Sequence, residues 1–98
     1  GMTVKVGDLV KYSWAGSNRV ALVLDYRTET DPKDLKMKWY LNLSGEIILI
    51  QWISGEGPKP KLWNSDGSML SADDCHEFGW APVKNNLGMN LFDVVVTQ

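Results

Sequence analysis

The side chains that bind metal ions or act as nucleophiles are concentrated in one short segment, residues 73–77. On a helix, Asp73 would share a face with His76 and Glu77, and such a group could hold a divalent cation. Carboxylates also stabilise the first turn of a helix because they complement its dipole, and Ser71 is placed to cap such a turn. We favour this second interpretation and predict neither a metal site nor a cofactor.

Covalent catalysis by Cys75 with His76 as its base is also disfavoured. Adjacent residues of a helix point about 100° apart, and the sequence shows no third group that would orient the histidine. Gly55 and Gly57 lead into prolines rather than into a helix, so they indicate a turn and not a phosphate-binding loop. We therefore predict that the protein is not an enzyme and has no catalytic residues.

A partner-binding role has more support, because five tryptophans are several times the share expected of a chain of 98 residues. One of them, Trp63, follows a locally basic stretch in which Lys59 and Lys61 alternate with prolines. Together with Lys11 and Arg19, these lysines could contact the phosphate backbone of a nucleic acid whose bases stack on aromatic rings. A solvated loop is the simpler interpretation of the two lysines.

Charge and composition limit the class of protein. Ten basic and twelve acidic residues give a net charge of -2, which does not favour an extended basic face, so we rank nucleic acid below protein as the partner. A hydrophobic content of 44% with 22% charged residues is typical of a globular protein, and the length predicts a single domain over residues 1–98. Gly1 before Met2 is interpreted as the remnant of a purification tag.

Cellular location is predicted from what the sequence lacks. The single cysteine, Cys75, cannot form an internal disulfide, which fits a reducing compartment. No apolar run approaches the roughly 20 residues of a membrane span, and we see no secretion leader. We expect a cytoplasmic protein that has no membrane partner.

Residues 46–53 are the run around which we expect the fold to form. Six of these eight residues are large and apolar, and four of the six are isoleucine. A β-branched and aromatic run of this length, bounded by Ser-Gly on both sides, predicts a strand that is buried on both faces at the centre of a sheet.

Alternation of apolar and polar residues indicates most of the other strands. The acidic segment predicts one or two helical turns over residues 72–78, which would be anchored by Phe78 and ended by Gly79. Asp66-Gly67 is a strong turn signal, and residues 44–45 have the spacing of a tight hairpin. The predicted strands are residues 9–12, 19–27, 36–43, 46–53 and 91–97, with residues 80–83 as a further short strand.

Five or six short strands with one helical turn before the last strand predict an all-β fold, a small and strongly bent barrel. The opening Val6-Gly7-Asp8-Leu9-Val10-Lys11-Tyr12, followed by a loop and a strand at residues 20–25, resembles SH3-like barrels of the KOW-like and small bacteriophage kind. Residues 50–53, 63–67 and 80–83 resemble the later strands of short uncharacterised proteins from tailed bacteriophages, including those of marine cyanobacteria.

The resemblance implies where a partner would bind. In SH3-like barrels, peptides lie on aromatic residues of the first long loop, the strand hairpin and the late helical turn. Packing of the barrel ends is the alternative role for each ring, although Trp14 and Trp63 are flanked by turn residues and are expected at the surface. The implied surface consists of Tyr12, Trp14, Trp52, Trp63 and Trp80.

Three functions are therefore open at the level of the sequence. The favoured one is a protein-binding or assembly module, plausibly of phage or bacterial origin. The second is a nucleic-acid-binding barrel that uses the four basic residues named above. The least favoured is a metal-dependent hydrolase around Asp73, Asp74 and His76.

Overall fold

The computed structural model of the protein describes residues 4–28, 46–70, 77–85 and 87–95. Within these ranges lie the strands β1 (Leu9–Tyr12), β2 (Arg19–Thr28), β3 (Glu46–Ser54), β4 (Phe78–Pro82) and β5 (Asp93–Val94), and a 3-10 turn at Trp14–Gly16. All pairings are antiparallel, and the strands form one sheet in the order β4-β3-β2-β1-β5. The predicted all-β class is confirmed for the described residues.

The strands of the first half follow the predicted boundaries closely. β1 coincides with residues 9–12, while β2 and β3 are each one residue longer than predicted. β3 is an inner strand, as expected, but the middle strand is β2. The reason is length, because the ten residues of β2 pair with β1 near one end and with β3 along nearly the whole strand.

Burial on both faces is confirmed for the first half of β3. Neighbouring residues of a strand point to opposite faces, so Ile48 and Ile50 lie on one face and Ile47 on the other. We call these the inner face and the outer face. The inner face carries the main core, which includes Val10, Val23, Ala81 and Phe92. On the outer face, Ile47 packs with Leu49, Trp63 and Trp80.

The predicted helix at residues 72–78 is wrong at its C-terminal end, and residues 71–76 lie outside the described residues. Phe78 begins β4 opposite Gln51, and its side chain is 61% exposed, so it does not anchor a helix. Gly79 lies inside β4, where a Cβ atom would come within 2.8 Å of the Leu62 Cβ atom. Pairing with the edge of β3 therefore outweighs the local preference for a helix, and close packing explains the glycine.

The Asp66-Gly67 turn is confirmed. Gly67 has a φ of 90°, and the Asp66 carboxylate accepts hydrogen bonds from the Ser68 amide and hydroxyl. The turn folds Met69 back against Trp63, and Trp63 in turn pairs with Trp80 of β4. The edge of β4 that faces away from β3 is therefore covered at this point.

The two terminal strands of the sheet, β4 and β5, are joined by a hairpin at residues 83–91. Lys84 and Asn90 form a bridge, and the Leu91 amide donates to the Val83 carbonyl oxygen at 2.8 Å. No ladder joins β4 directly to β5 among the described residues, so the sheet is not closed.

Two other predicted strands have limited support. Of the strand expected at residues 91–97, the described part contains only β5, and residues 36–45 lie outside the described residues. No helix in the described ranges is long and apolar enough to cross a membrane.

Candidate protein-binding surface

Three of the five aromatic residues predicted to bind a partner are buried, with Tyr12 8%, Trp63 6% and Trp80 4% exposed. The prediction that Trp63 lies at the surface is wrong. Residues 64–67 do form a turn, but the ring itself lies on the outer face, where it packs with Trp80 and Ile47. Because rings buried this deeply are not accessible to a partner, we assign Trp63 and Trp80 to packing.

The inner face holds a cluster of three aromatic rings. The ring centres of Tyr12 and Trp52 lie 6.5 Å apart in an edge-on arrangement, and Phe92 lies 5.7 Å from Tyr12 and 6.3 Å from Trp52. Burial raises the pKa of the Tyr12 hydroxyl. Trp52 is half-buried, and its buried Nε1 has no hydrogen-bond partner in the structure. The cluster is therefore mainly a packing unit with one unsatisfied donor.

Trp14 differs from the other predicted contact residues because it connects two surface segments. It begins the 3-10 turn after β1, is half-buried against the core, and donates its Nε1 hydrogen to the Asn90 carbonyl oxygen at 3.0 Å. The next residue, Ala15, has a φ of 56°, a left-handed conformation that costs a residue with a side chain about 1 kcal/mol or more. The loop thus accepts strain while Trp14 contacts the 83–91 hairpin.

The end of the 83–91 hairpin presents two large apolar side chains to solvent. Leu87 is 77% exposed and Met89 is 48% exposed. The Asn85 side-chain oxygen accepts hydrogen bonds from the amides of Leu87 and Met89, each at 2.9 Å, and the Asn85 amide donates to the Met89 carbonyl oxygen. We call residues 85 and 87–89 the hairpin tip. Its backbone is tied down by hydrogen bonds while its apolar side chains remain outside.

A cleft of about 630 Å³ lies beside the hairpin tip. Its walls come from residues 83–84, residues 88–90, and residues 92–94, together with Val4 and Glu46. These walls include residues of β5 and the residues directly after β4, so the cleft lies where the sheet is open. Its volume is within the range of small-molecule and peptide-sized sites.

Charged groups of both signs line the cleft: Glu46 and Asp93 are acidic, and Lys84 is basic. The Tyr26 hydroxyl donates to a Glu46 carboxylate oxygen at 2.5 Å. Desolvation, this hydrogen bond and the negative charge of Glu46 raise the pKa of Tyr26 to about 12. The carboxylate of Glu46 is therefore held by a neutral phenol over the whole physiological pH range.

The basic residues are brought together only in part. The Arg19 Nε donates to the Gly57 carbonyl oxygen at 2.5 Å, which places Arg19 against the loop that carries Lys59 and Lys61. Both lysines are exposed. Lys11 is exposed on β1, on the face opposite Tyr12, because side chains alternate along a strand.

The loop that carries the lysines is fixed against the first loop of the chain. Asn18 and Glu56 exchange two hydrogen bonds, one from the Asn18 amide and one to its side-chain oxygen. Gly55 and Gly57 both have positive φ, and a side chain on Gly55 would collide with the Asn18 carbonyl group. The loop predicted here from glycine and proline is confirmed. The close approach of the two loops explains why glycine occupies positions 55 and 57.

Asp73, Asp74 and His76, the acidic cluster considered as a metal site, lie outside the described residues. In the part of the chain that the structure describes, no group of three or more His, Cys, Asp or Glu side chains is placed to hold a metal ion.

The residues of the hairpin tip were missed at the sequence level. A signal did exist, because Leu87 lies between the turn residues Asn85-Asn86 and Gly88, and a large apolar residue inside a turn has little chance of burial. Phe92 was assigned to a strand and not to the aromatic cluster, because only the folded chain brings it next to Tyr12.

Comparison with known proteins gives no further guide to identity. No protein-family model matches the chain, and no curated protein and no solved structure matches it. The resemblance to SH3-like barrels therefore stays a prediction.

Proposed function

We propose that this protein is a non-enzymatic protein-binding module with an SH3-like barrel fold. The antiparallel strand order supports the barrel, as does the 83–91 hairpin that links the two terminal strands. The resemblance noted in the sequence favours an accessory or assembly protein of phage or bacterial origin that acts in the cytoplasm.

The observation that carries the binding role is the exposure of Leu87 and Met89 on a hairpin tip tied down by hydrogen bonds. Met89 lines the cleft, and Leu87 lies two residues before it in the chain. Exposed apolar side chains that lie together beside a cleft are typical of interaction sites. Trp14 lies at the base of the same hairpin through its bond to Asn90. The proposed surface thus consists of the hairpin tip, Trp14 and the adjoining cleft.

The test is affinity capture from a nuclease-treated bacterial lysate at moderate salt. Wild-type protein should retain at least one discrete protein, and Leu87→Glu should lose it. The matched control is Phe78→Glu, which places the same charge on another exposed apolar residue, one that lies on the outer face and does not line the cleft. Retention that is equal in both variants, or no retained protein at all, would contradict the proposal.

A second candidate function is nucleic-acid binding through Arg19, Lys59 and Lys61. The contact between Arg19 and Gly57 favours it, because this contact gathers three cations at one loop. Binding driven by phosphates weakens steeply as salt rises, whereas an apolar contact does not. Titration of a labelled single-stranded oligonucleotide at low and moderate salt would therefore separate the two functions, and we expect only weak binding that disappears at moderate salt.

A further inference from the structure

One strand of the sheet, β5, has backbone groups that pair with no other described residue. The Val95 amide donates to the Leu9 carbonyl oxygen, and Val10 lies opposite Val94. In an antiparallel pair this pattern identifies Val10 and Val94 as a non-hydrogen-bonded pair, so the N–H and C=O groups of Val94 point away from β1. No hydrogen bond of the described residues uses these two groups.

β5 is a terminal strand of the sheet, and its residue Val94 lines the cleft. Val94 and Asp93 form one wall, and residues 83–84 contribute to the others. The Val83 amide and carbonyl are already bonded, to Glu46 and to Leu91. The edge of β5 at Val94 is therefore the part of the cleft at which a further strand could pair.

The shape of the cleft decides which kind of strand fits. The edge at Val94 lies inside a concavity that is flanked by residues 88–90, and two concave edges of this kind cannot meet face to face. A second copy of the chain is therefore a poor occupant, whereas a single extended peptide segment is slim enough to enter. Met89, which is 48% exposed, lines the cleft and would favour an apolar residue in the part of such a segment that lies against it.

We propose that the cleft binds an extended segment of a partner protein, which adds to the sheet by pairing with the backbone of Val94. This inference rests on the proposed protein-binding function and names its mode. Main-chain hydrogen bonds supply affinity in such strand addition, and pockets for alternate side chains supply specificity. Because the charged groups of the cleft are of both signs, binding should depend little on salt.

Amide hydrogen exchange of the free protein, followed by NMR, is the first part of the test. Val94 should exchange freely while Val95, whose amide is bonded to Leu9, should be protected. Equal protection of both amides would show that the edge is already occupied and would overturn the proposal. Protection of Val94 that rises with protein concentration would assign the edge to a second copy, with the same consequence.

The second part is titration with a pool of uncharged pentapeptides, Ac-Thr-X-Thr-X-Thr-NH2, in which X is Val, Ile, Leu, Phe or Met. Millimolar peptide should shift the Val94 amide proton downfield and slow its exchange by about tenfold. The matched control is the same pool with every internal amide N-methylated, which removes the donors and should leave Val94 unchanged. No change at Val94 with either pool would overturn strand addition.

The outcome also separates this inference from the proposed function. Peptide-induced shifts confined to Trp14 and Leu87, with Val94 unaffected, would overturn strand addition while protein binding stands. Loss of captured protein in Leu87→Glu, but not in Val94→Pro, would likewise overturn strand addition and leave the protein-binding function in place. Val94→Pro removes the outward N–H, and its folding is checked by the retained protection of the remaining strand amides.

Discussion

Both faces of the sheet hold tryptophan, but the hydrogen-bonding of the indole Nε1–H group differs between them. On the outer face, the buried Trp80 donates its Nε1 hydrogen to the hydroxyl of Ser65, in the neighbouring 64–67 turn, at 3.0 Å. On the inner face, the Trp52 Nε1 has no hydrogen-bond partner among the described residues, and Trp14 donates to a carbonyl of a different surface segment.

This difference indicates which rings are structural and which are near a functional surface. A buried ring whose polar atom already has a hydrogen-bond partner needs no further partner to satisfy it. An unsatisfied donor and a ring tied to the base of an exposed hairpin lie on the side of the molecule that holds the cleft. We therefore place function on the inner side of the sheet and stability on the outer side.

The largest expected effect is that of Trp80→Ala. Removing a large buried ring should lower the free energy of unfolding by about 3–5 kcal/mol, because it leaves a cavity in the outer cluster. Urea denaturation followed by circular dichroism measures this loss. Leu87→Ala is the exposed control and should change stability by less than about 0.5 kcal/mol. Similar losses in both variants would break the assignment of Trp80 to packing.

Substitution of tryptophan by phenylalanine tests the indole N–H donors directly, because it removes the donor and keeps an aromatic ring. Trp80→Phe removes a satisfied donor and part of the buried surface, so we expect a loss of about 1–2 kcal/mol. Trp52→Phe removes a donor whose burial is already unfavourable, so the loss should be close to zero. The difference between the two unfolding free energies is the measured quantity, and equal losses would show that the Trp52 donor has a partner in solution.

The pH dependence of stability tests the environment of Tyr26, which is set by burial and by its hydrogen bond to Glu46 at the cleft. The Tyr26 pKa of about 12 in the folded protein is above the ordinary value of 10.0, so the folded state holds the proton more tightly than the unfolded state. The resulting stability is complete below pH 10 and is lost as the pH rises toward 12. Denaturation midpoints measured across this range should fall more steeply for wild type than for Tyr26→Phe. Parallel curves would mean that neither burial nor the bond to Glu46 raises the pKa of Tyr26 in solution.

The smallest expected effect is a gain from Ala15→Gly. Glycine adopts positive φ without steric cost, so relief of the strain at Ala15 should raise the unfolding free energy by roughly 0.5–1 kcal/mol. A loss of stability, measured by the same urea titration, would show that the left-handed conformation is not adopted in solution.

The sequence predicts the strands well where the pattern is local. β1, β2 and β3 follow from alternation and from a β-branched run, since each signal lies within the strand itself. The burial of Trp63 could not be predicted, because the turn residues beside it describe only the backbone. Its burial depends on Trp80 of β4, which approaches only in the folded sheet.

The candidate surface shows the same limit. The basic loop and its turn were predicted from glycine and proline, but the contact of Arg19 with Gly57 joins positions that are 38 residues apart. The free edge at Val94 has no sequence signal, because it follows from the register between β5 and β1. Local patterns thus locate strands and turns, and register decides which groups are left for a partner.

Site-specific photocross-linking tests the central claim, binding at the hairpin tip, most directly. The pair of variants is Leu87→p-benzoylphenylalanine and Phe78→p-benzoylphenylalanine, which place the same reactive ring on two exposed apolar positions, one at the tip and one on the outer face. After irradiation in a nuclease-treated bacterial lysate, we expect a discrete protein adduct from position 87 and none from position 78. An adduct from position 78 alone, or from neither position, would contradict the account.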